Sequence, residues 1–281
     1  MVLDPSLCIG IPTFNRPHLL HRALASIASQ DRMPDQVLIG DNSANDLSRD
    51  VYIQWSSAIP CMSYSRREEN FGPMTNFMQL VADASTTYFM WLADDDRLEP
   101  SAVAVIMSFL EHHPDLQYLG WASSTHNYVT GQIQRPASLP NVVMGNSIFA
   151  NVTHYLEMPI STYFYGAYHR DTLLRSRLSR WCREKVLFDW MDVACVMSNL
   201  LNYRSHFLDE QLTIFGVDEV VRPRKGADAR IVQAYNPNPW LKHGIMLILF
   251  ASRISLIERF KLLTKFVYAW RTTTTFAIHH S

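Results

Sequence analysis

Residues 88–96 read Tyr-Phe-Met-Trp-Leu-Ala-Asp-Asp-Asp, an apolar, aromatic run that stops abruptly at three consecutive carboxylates. The run has the length and the β-favouring side chains of a buried strand. A buried strand that delivers stacked negative charge at its carboxyl end is costly unless a cation meets it there, because adjacent carboxylates repel. Hard divalent ions such as Mg²⁺ and Mn²⁺ take oxygen ligands and relieve that repulsion. In open α/β sheets the ligand crevice lies outside the carboxyl ends of the strands. The competing account is a solvated acidic turn capping a helix from Ser101, but a single Asp would serve for that.

The chain before this point alternates between strand and helix patterns. Leu7 to Ile11 reads as a strand ending at Pro12. A polar turn follows, then a helical stripe of Leu19, Leu20, Ala23, Leu24 and Ile27, with Pro17 suited to its first turn. A second strand, Gln36 to Gly40, ends in Asp41-Asn42-Ser43, and a third is expected at Met62 to Ser65. A helix from about Thr75 to Ala84 puts Phe77, Leu80, Val81 and Ala84 on one face, and another runs from Ser101 to His112. Such alternation predicts a mostly parallel sheet with a Rossmann-like front half. Farther on, strands are expected at Leu116–Trp121, Thr162–His169 and Ser205–Val217, and helices at Asp171–Arg177 and Asp189–Leu201. Pro237 and Pro239 break the chain before a helical tail from Trp240.

The 281 residues are 48% apolar and 18% charged, which fits a globular core. The net charge of −1 gives no reason to expect a nucleic-acid partner. Charge is uneven, however. From Trp240 onward six basic residues (Lys242, Arg253, Arg259, Lys261, Lys265, Arg271) face one acid, Glu258, so the tail carries +5 and the preceding residues −6. The four cysteines are scattered without a CxxC pair or zinc spacing, which implies a reducing, cytoplasmic setting. The amino terminus lacks the pattern of a signal peptide, and the longest apolar run, Ile245 to Ala251, is too short to span a bilayer.

Four segments together carry a family likeness. Ile9-Gly10-Ile11-Pro12-Thr13-Phe14-Asn15-Arg16-Pro17, Ile39-Gly40-Asp41-Asn42-Ser43, Asn70-Phe71-Gly72 and Leu92-Ala93-Asp94-Asp95-Asp96-Arg97-Leu98-Glu99-Pro100 occur in order at strand ends. In this the chain resembles the family 2 glycosyltransferases, specifically over about its first 100 residues. The resemblance implies an α/β fold of the GT-A type, an inverting transfer from a nucleotide-diphosphate sugar, and a divalent cation, Mn²⁺ or Mg²⁺. It implies a catalytic domain over residues 1–225, with a nucleotide-sugar half to residue 115 and an acceptor half beyond it; the residues that follow, 226–281, read by their own pattern as a helical, basic amphipathic extension. Pro12, Thr13, Asn15, Asp41, Asn70 and Asp94 would bind the donor, with Asp41 accepting a hydrogen bond from a uracil or thymine base. Asp95 and Asp96 would hold the metal.

Two departures bear on that assignment. Many members have an Asp where this chain has Ala93. If the register holds, Asp95 leads the metal shell and Asp94 or Asp96 assists; alternatively Asp94 faces the ribose and Asp96 the cation. A late His that often completes the shell is absent from Leu212–Asp218, where Asp218 could stand in. Inversion by single displacement needs a general base for the acceptor hydroxyl. The resemblance points to Asp189, with Asp192 as the alternative, at the start of the helix after Phe188. An Asp at a helix start is also an ordinary cap.

Aromatics cluster in the second half, and Tyr163, Tyr165 and Trp190 are the residues expected to stack on an acceptor sugar, although strand aromatics often serve as core. The acceptor would be a glycan or lipid-linked glycan. Residues 240–281 interleave apolar and basic side chains, as in a helix lying at the inner face of a membrane, or as in a helix pair packed on the domain. A phosphatase of the haloacid dehalogenase type would need Thr or Val where Leu98 stands. A degenerate sugar-nucleotide or glycan-binding module is the remaining alternative, favoured by Ala93 and the missing His.

Overall fold

The computed structural model describes residues 4–67, 70, 72–134, 147–157, 161–183, 191–217, 244–249, 251 and 253–279. Strands β1 (Leu7–Thr13), β2 (Gln36–Asp41), β3 (Met62–Arg66) and β4 (Tyr88–Trp91) form a parallel half-sheet in the order β3-β2-β1-β4. They are separated by α1 (Pro17–Ala28), α2 (Leu47–Trp55) and α3 (Pro73–Asp83). The second half adds β5 (Arg97–Leu98), α4 (Ala102–His112), β6 (Tyr118–Asn127), β7 (Ile133–Gln134) and α5 (Ile148–Glu157). A 3₁₀ turn at Ser161–Tyr165 leads into β8 (Ala167–His169), α6 (Arg170–Arg175), α7 (Arg177–Arg183), α8 (Met191–Asn202) and β9 (Ser205–Val217). The sheet continues β4-β8-β6-β9-β5, with β8 antiparallel to both neighbours, β6 and β9 parallel, and β5 antiparallel to β9. Two helices, α9 (244–249) and α10 (Leu256–His279), follow.

Side-chain alternation along the strands divides the interior into two cores. Leu7, Ile9 and Ile11 of β1 and Tyr88 and Met90 of β4 face α1 and α4, where Leu20, Leu24, Ile27, Ile106 and Leu110 close the layer. Cys8, Phe89, Trp91, Tyr118 and Tyr168 face the other way, against α3, α5, α8 and the carboxy-terminal helices. Trp91 is fully buried and stacks on Phe164 at 4.5 Å between centroids. Leu247, Ile248, Leu262 and Phe266 belong to this same core.

The α1 stripe is buried as its spacing predicts, and Pro17 occupies its first turn. Three expectations need correction. Residues 162–165 form the 3₁₀ turn rather than strand, and pairing begins at Ala167; the Tyr118 hydroxyl donates to the Tyr163 carbonyl (2.5 Å) and holds that turn in the core. The helix expected over Asp171–Arg177 is instead two, α6 and α7. The strand at Leu116–Trp121 runs on to Asn127. The start expected for α8 at Asp189 lies outside the described residues.

Candidate active site

The ends of β1, β2 and β4 bring the sequence-predicted donor residues together. Thr13 and Asp41 are register partners on β1 and β2, and β4 lies on the other side of β1. Asp41 is fully buried. One of its carboxylate oxygens accepts from the Ser43 backbone N–H (2.8 Å) and hydroxyl (2.5 Å), and the other accepts from the Tyr64 hydroxyl (2.7 Å). Burial, and then donation to Asp41, pushes the Tyr64 phenol up to about 12. Asn15 sits in the left-handed region (φ 55°), which Asn tolerates better than most residues. Its N–H donates to the Ser43 hydroxyl (2.7 Å) and its side-chain oxygen accepts from Asn45 (3.0 Å), so the loops after β1 and β2 are tied together. Asn70 accepts from Asn42 and from the Gly72 N–H (both 2.9 Å), and Gly72 supplies a positive φ of 91° before α3. Pro12, expected to end β1, lies inside it opposite Gly40, and the strand runs on to Thr13.

The acidic triplet follows β4 directly. Asp94 is fully buried, accepts from the Thr13 hydroxyl (2.7 Å) and is ion-paired with the Arg16 guanidinium (2.6 Å). Burial outweighs both partners and raises its carboxyl to about 6. Asp96 is 4% exposed and accepts from the Gly216 N–H (3.0 Å). Burial first, and the neighbouring Asp95 next, push its carboxyl up to about 8. Asp95 is more open and pairs with Arg16 at 3.0 Å. A single guanidinium thus serves two of three adjacent carboxylates, and among the described residues the third has no cationic partner in contact.

Oxygen-only donors with uncompensated buried charge fit a hard divalent ion. Among the described residues, no three His, Cys, Asp or Glu side chains converge as a ready-made metal cage. Such an ion would therefore share its shell with donor phosphates, as Mg²⁺ commonly does. Asp218 lies outside the described residues.

The acceptor side is only partly described, since Asp189 and Trp190 lie outside the described residues. Asp192 is in the first turn of α8, and burial raises its carboxyl above the ordinary range. Tyr165 is half-buried; its phenol is raised by burial and then by the charges of Asp96, Asp95, Asp192 and Asp94, so Asp192 and the triplet act on one hydroxyl. Tyr163 packs in the core with its ring edge to Phe207.

Sequence reasoning missed Arg16, Tyr64 and Gly216. The signal for Gly216 was a glycine inside a strand, which marks a close backbone approach. A Cβ there would overlap the Asp95 carbonyl oxygen and the Tyr128 ring. Tyr128 itself donates to that carbonyl (3.3 Å), and the Arg22 guanidinium lies 3.7 Å over its ring.

The model of glycosyl transferase family 2 matches residues 8–173, more than half of the chain. The chain belongs to glycosyl transferase family 2. Within the family it is 30% identical over 115 residues to the abequosyltransferase RfbV of Salmonella typhimurium, covering 40% of this chain and 34% of that one. It is 25% identical over 189 residues to the putative colanic acid biosynthesis glycosyl transferase WcaA of Escherichia coli, covering 61% and 66%. The alignments with these relatives thus span between a third and two thirds of their length. S. aureus TarS 1-349 in complex with UDP-GlcNAc superimposes with a TM-score of 0.67 over 94% of this chain and 72% of that one at 18% identity. The mannosyltransferase PcManGT from Pyrobaculum calidifontis, in complex with GDP-Man and Mn²⁺, gives 0.54 over 95% and 70% at 14%. The architecture of this family 2 member is the GT-A fold.

Proposed function

We propose that this chain transfers a sugar from a nucleotide-diphosphate sugar, with UDP- and dTDP-sugars as the favoured donors, to a hydroxyl of a glycan or lipid-linked acceptor, with inversion. The setting is surface polysaccharide synthesis at the cytoplasmic face of the membrane. The observation that carries the reading is the pair of buried carboxylates, Asp94 and Asp96, at the end of β4, joined through Thr13 to the β1–β2 loop pair around Asp41. The relatives' names support sugar transfer in polysaccharide synthesis, and the UDP-GlcNAc complex of TarS supports the donor class.

Asp41 and the Thr13–Asn15 loop would receive the base and ribose. The tie between the two loops keeps this receptor rigid. Asp94 would face the ribose, and Asp95 and Asp96 would hold Mn²⁺ or Mg²⁺. A bound divalent ion supplies charge neutralisation for the departing diphosphate, so no protonating acid is needed. Arg16, already on Asp94 and Asp95, would turn its exposed guanidinium toward the incoming phosphates. Asp192, or Asp189, would take the acceptor hydroxyl's proton. A carboxylate raised by burial is a better base at neutral pH than an exposed one. Tyr165 would bear on the acceptor sugar, whereas Tyr163 supports it from the core.

Arg16 also favours a second reading, a binding module in which the guanidinium replaces the ion and no transfer occurs. One experiment separates the two. Nucleotide release from a panel of UDP- and dTDP-sugars is measured with and without Mn²⁺, for the native chain and for Asp95→Ala/Asp96→Ala. Mn²⁺-dependent release lost in the variant supports the enzyme, and donor binding without release in any condition supports the module.

A further inference from the structure

Two features remote from the carboxylates meet at Arg253. The first is an exposed apolar arc on α10, where Leu256, Ile257 and Phe260 are 80%, 69% and 70% exposed. At 3.6 residues per turn these three fall within an arc of about 100°, and Lys261 and Lys265 continue it over about another 80°. Both lysines are exposed. The opposite side of the helix is anchored: Leu262 and Phe266 are buried, and Arg259 donates to the carbonyls of Leu249 and Ile254. The exposed side chains are therefore presented on a fixed helix. Three large apolar residues this open to water beside two lysines are unfavourable for a surface that stays in solvent.

The second feature is a cavity of about 290 Å³ at the starts of β6 and β9, the sheet end opposite the acidic triplet. Arg204, Arg253, His113, His206, Asn151 and Tyr203 line it, and none of its described lining residues is a carboxylate. Arg204 is paired with Asp115 outside the lining. Phe109 is stacked between the two imidazoles, at 4.1 Å from His113 and 4.6 Å from His206. Nδ1–H of His113 donates to the Phe109 carbonyl (2.8 Å), which fixes the ring against Phe109. Such a lining suits an anion. Arg253 stands three residues before Leu256, within about 11 Å along even a fully extended chain, so the cavity rim adjoins the apolar arc.

We propose that this face docks on an anionic phospholipid bilayer, with Leu256, Ile257 and Phe260 entering the interface, Lys261 and Lys265 on the headgroups, and a lipid phosphate in the Arg204–Arg253 cavity. Among the described residues no helix is long and apolar enough to cross a membrane, so the contact is with the surface. Charge complementarity selects the occupant: each basic residue near an anionic surface raises binding about fivefold. Because the cavity and the triplet lie at opposite ends of the sheet, lipid binding is separable from donor binding.

The test is flotation of the full chain with phosphatidylcholine vesicles containing or lacking phosphatidylglycerol. The native chain floats with the anionic vesicles only. Leu256→Asp/Phe260→Asp lowers binding more than about tenfold, and Arg204→Gln/Arg253→Gln removes much of the preference for anionic lipid. Both variants keep the native thermal melt and the native response to sugar nucleotides, so failure here is distinguishable from failure of the transferase reading. Absence of flotation, or equal flotation of native chain and variants, overturns the proposal. So does sedimentation showing that the apolar arc joins two copies of the chain, with the Leu256→Asp/Phe260→Asp variant monomeric and no vesicle binding by either.

Discussion

Asp96 is a buried carboxylate whose ionisation costs the fold stability, and Asp96→Asn measures how much. Its carboxyl is 4% exposed and accepts from the Gly216 N–H, with Asp95 and Asp94 repelling it. The folded-state value of about 8 lies above the ordinary 3.8. The folded protein therefore binds this proton more tightly than the unfolded chain does. Its contribution to stability is fully present below about pH 4 and is lost as pH rises to about 8. At 1.4 kcal/mol per unit the upper bound at pH 8 is about 5 kcal/mol. Relaxation and partial hydration, together with the amide's need for an acceptor, reduce the expected gain from Asp96→Asn to about 1–3 kcal/mol. For a chain of this size that is a rise in melting temperature of about 3–8 °C. Thermal melts from pH 4 to pH 8 in chelator should show the variant ahead at pH 8 and the two proteins converging at pH 4. Added Mn²⁺ should reverse the order by stabilising only the native chain. An unchanged or lower melting temperature at pH 8, with the native pH profile, would refute the idea of a buried carboxylate held under tension.

Gly216→Ala should displace the acidic loop, because the new methyl meets the Asp95 backbone; transfer is expected to fall at least about tenfold while stability falls by about 1–3 kcal/mol, read from initial rates and urea melts. Tyr64→Phe leaves one oxygen of the buried Asp41 without its donor and should cost about 1–3 kcal/mol in urea unfolding, with weaker nucleotide binding by calorimetry. Arg16→Ala removes the guanidinium shared by Asp94 and Asp95; at pH 8 in chelator it should lower the melting temperature by a few degrees, roughly 1 kcal/mol, with most of the loss recovered in Mn²⁺.

The parts of the fold legible in the sequence were those whose own side chains are buried, on one face of a helix or on both faces of an inner strand. The α1 stripe, β2 into Asp41, β4 into the triplet and the full length of β9 follow from apolar spacing and end at turn residues. Helix α2 gave no such signal: of its nine residues, Ser48 is the buried one, and the helix rides on the surface. Helix α5 was passed over although Val152, Tyr155 and Leu156 recur at helical spacing and are buried against α8 and α10. The 161–165 segment misled because Tyr163 and Phe164 are β-favouring residues, whereas the deciding bond comes from Tyr118, 45 positions earlier. At the site, motif residues could be named individually. Their environment could not: the burial of Asp94 and Asp96, the shared Arg16 and the close pass of Gly216 arise only when β1, β4 and β9 are brought together.

The central claim is that the carboxylates after β4 hold a divalent ion beneath a sugar nucleotide whose base reaches Asp41. Crystals grown with UDP and Mn²⁺ test it through anomalous difference density. The account predicts a manganese peak at about 2.0–2.3 Å from oxygens of Asp95 or Asp96 and of the diphosphate, with uracil beside Asp41. UDP bound with no manganese at the triplet, or with its base elsewhere than the Asp41 loop, would contradict it.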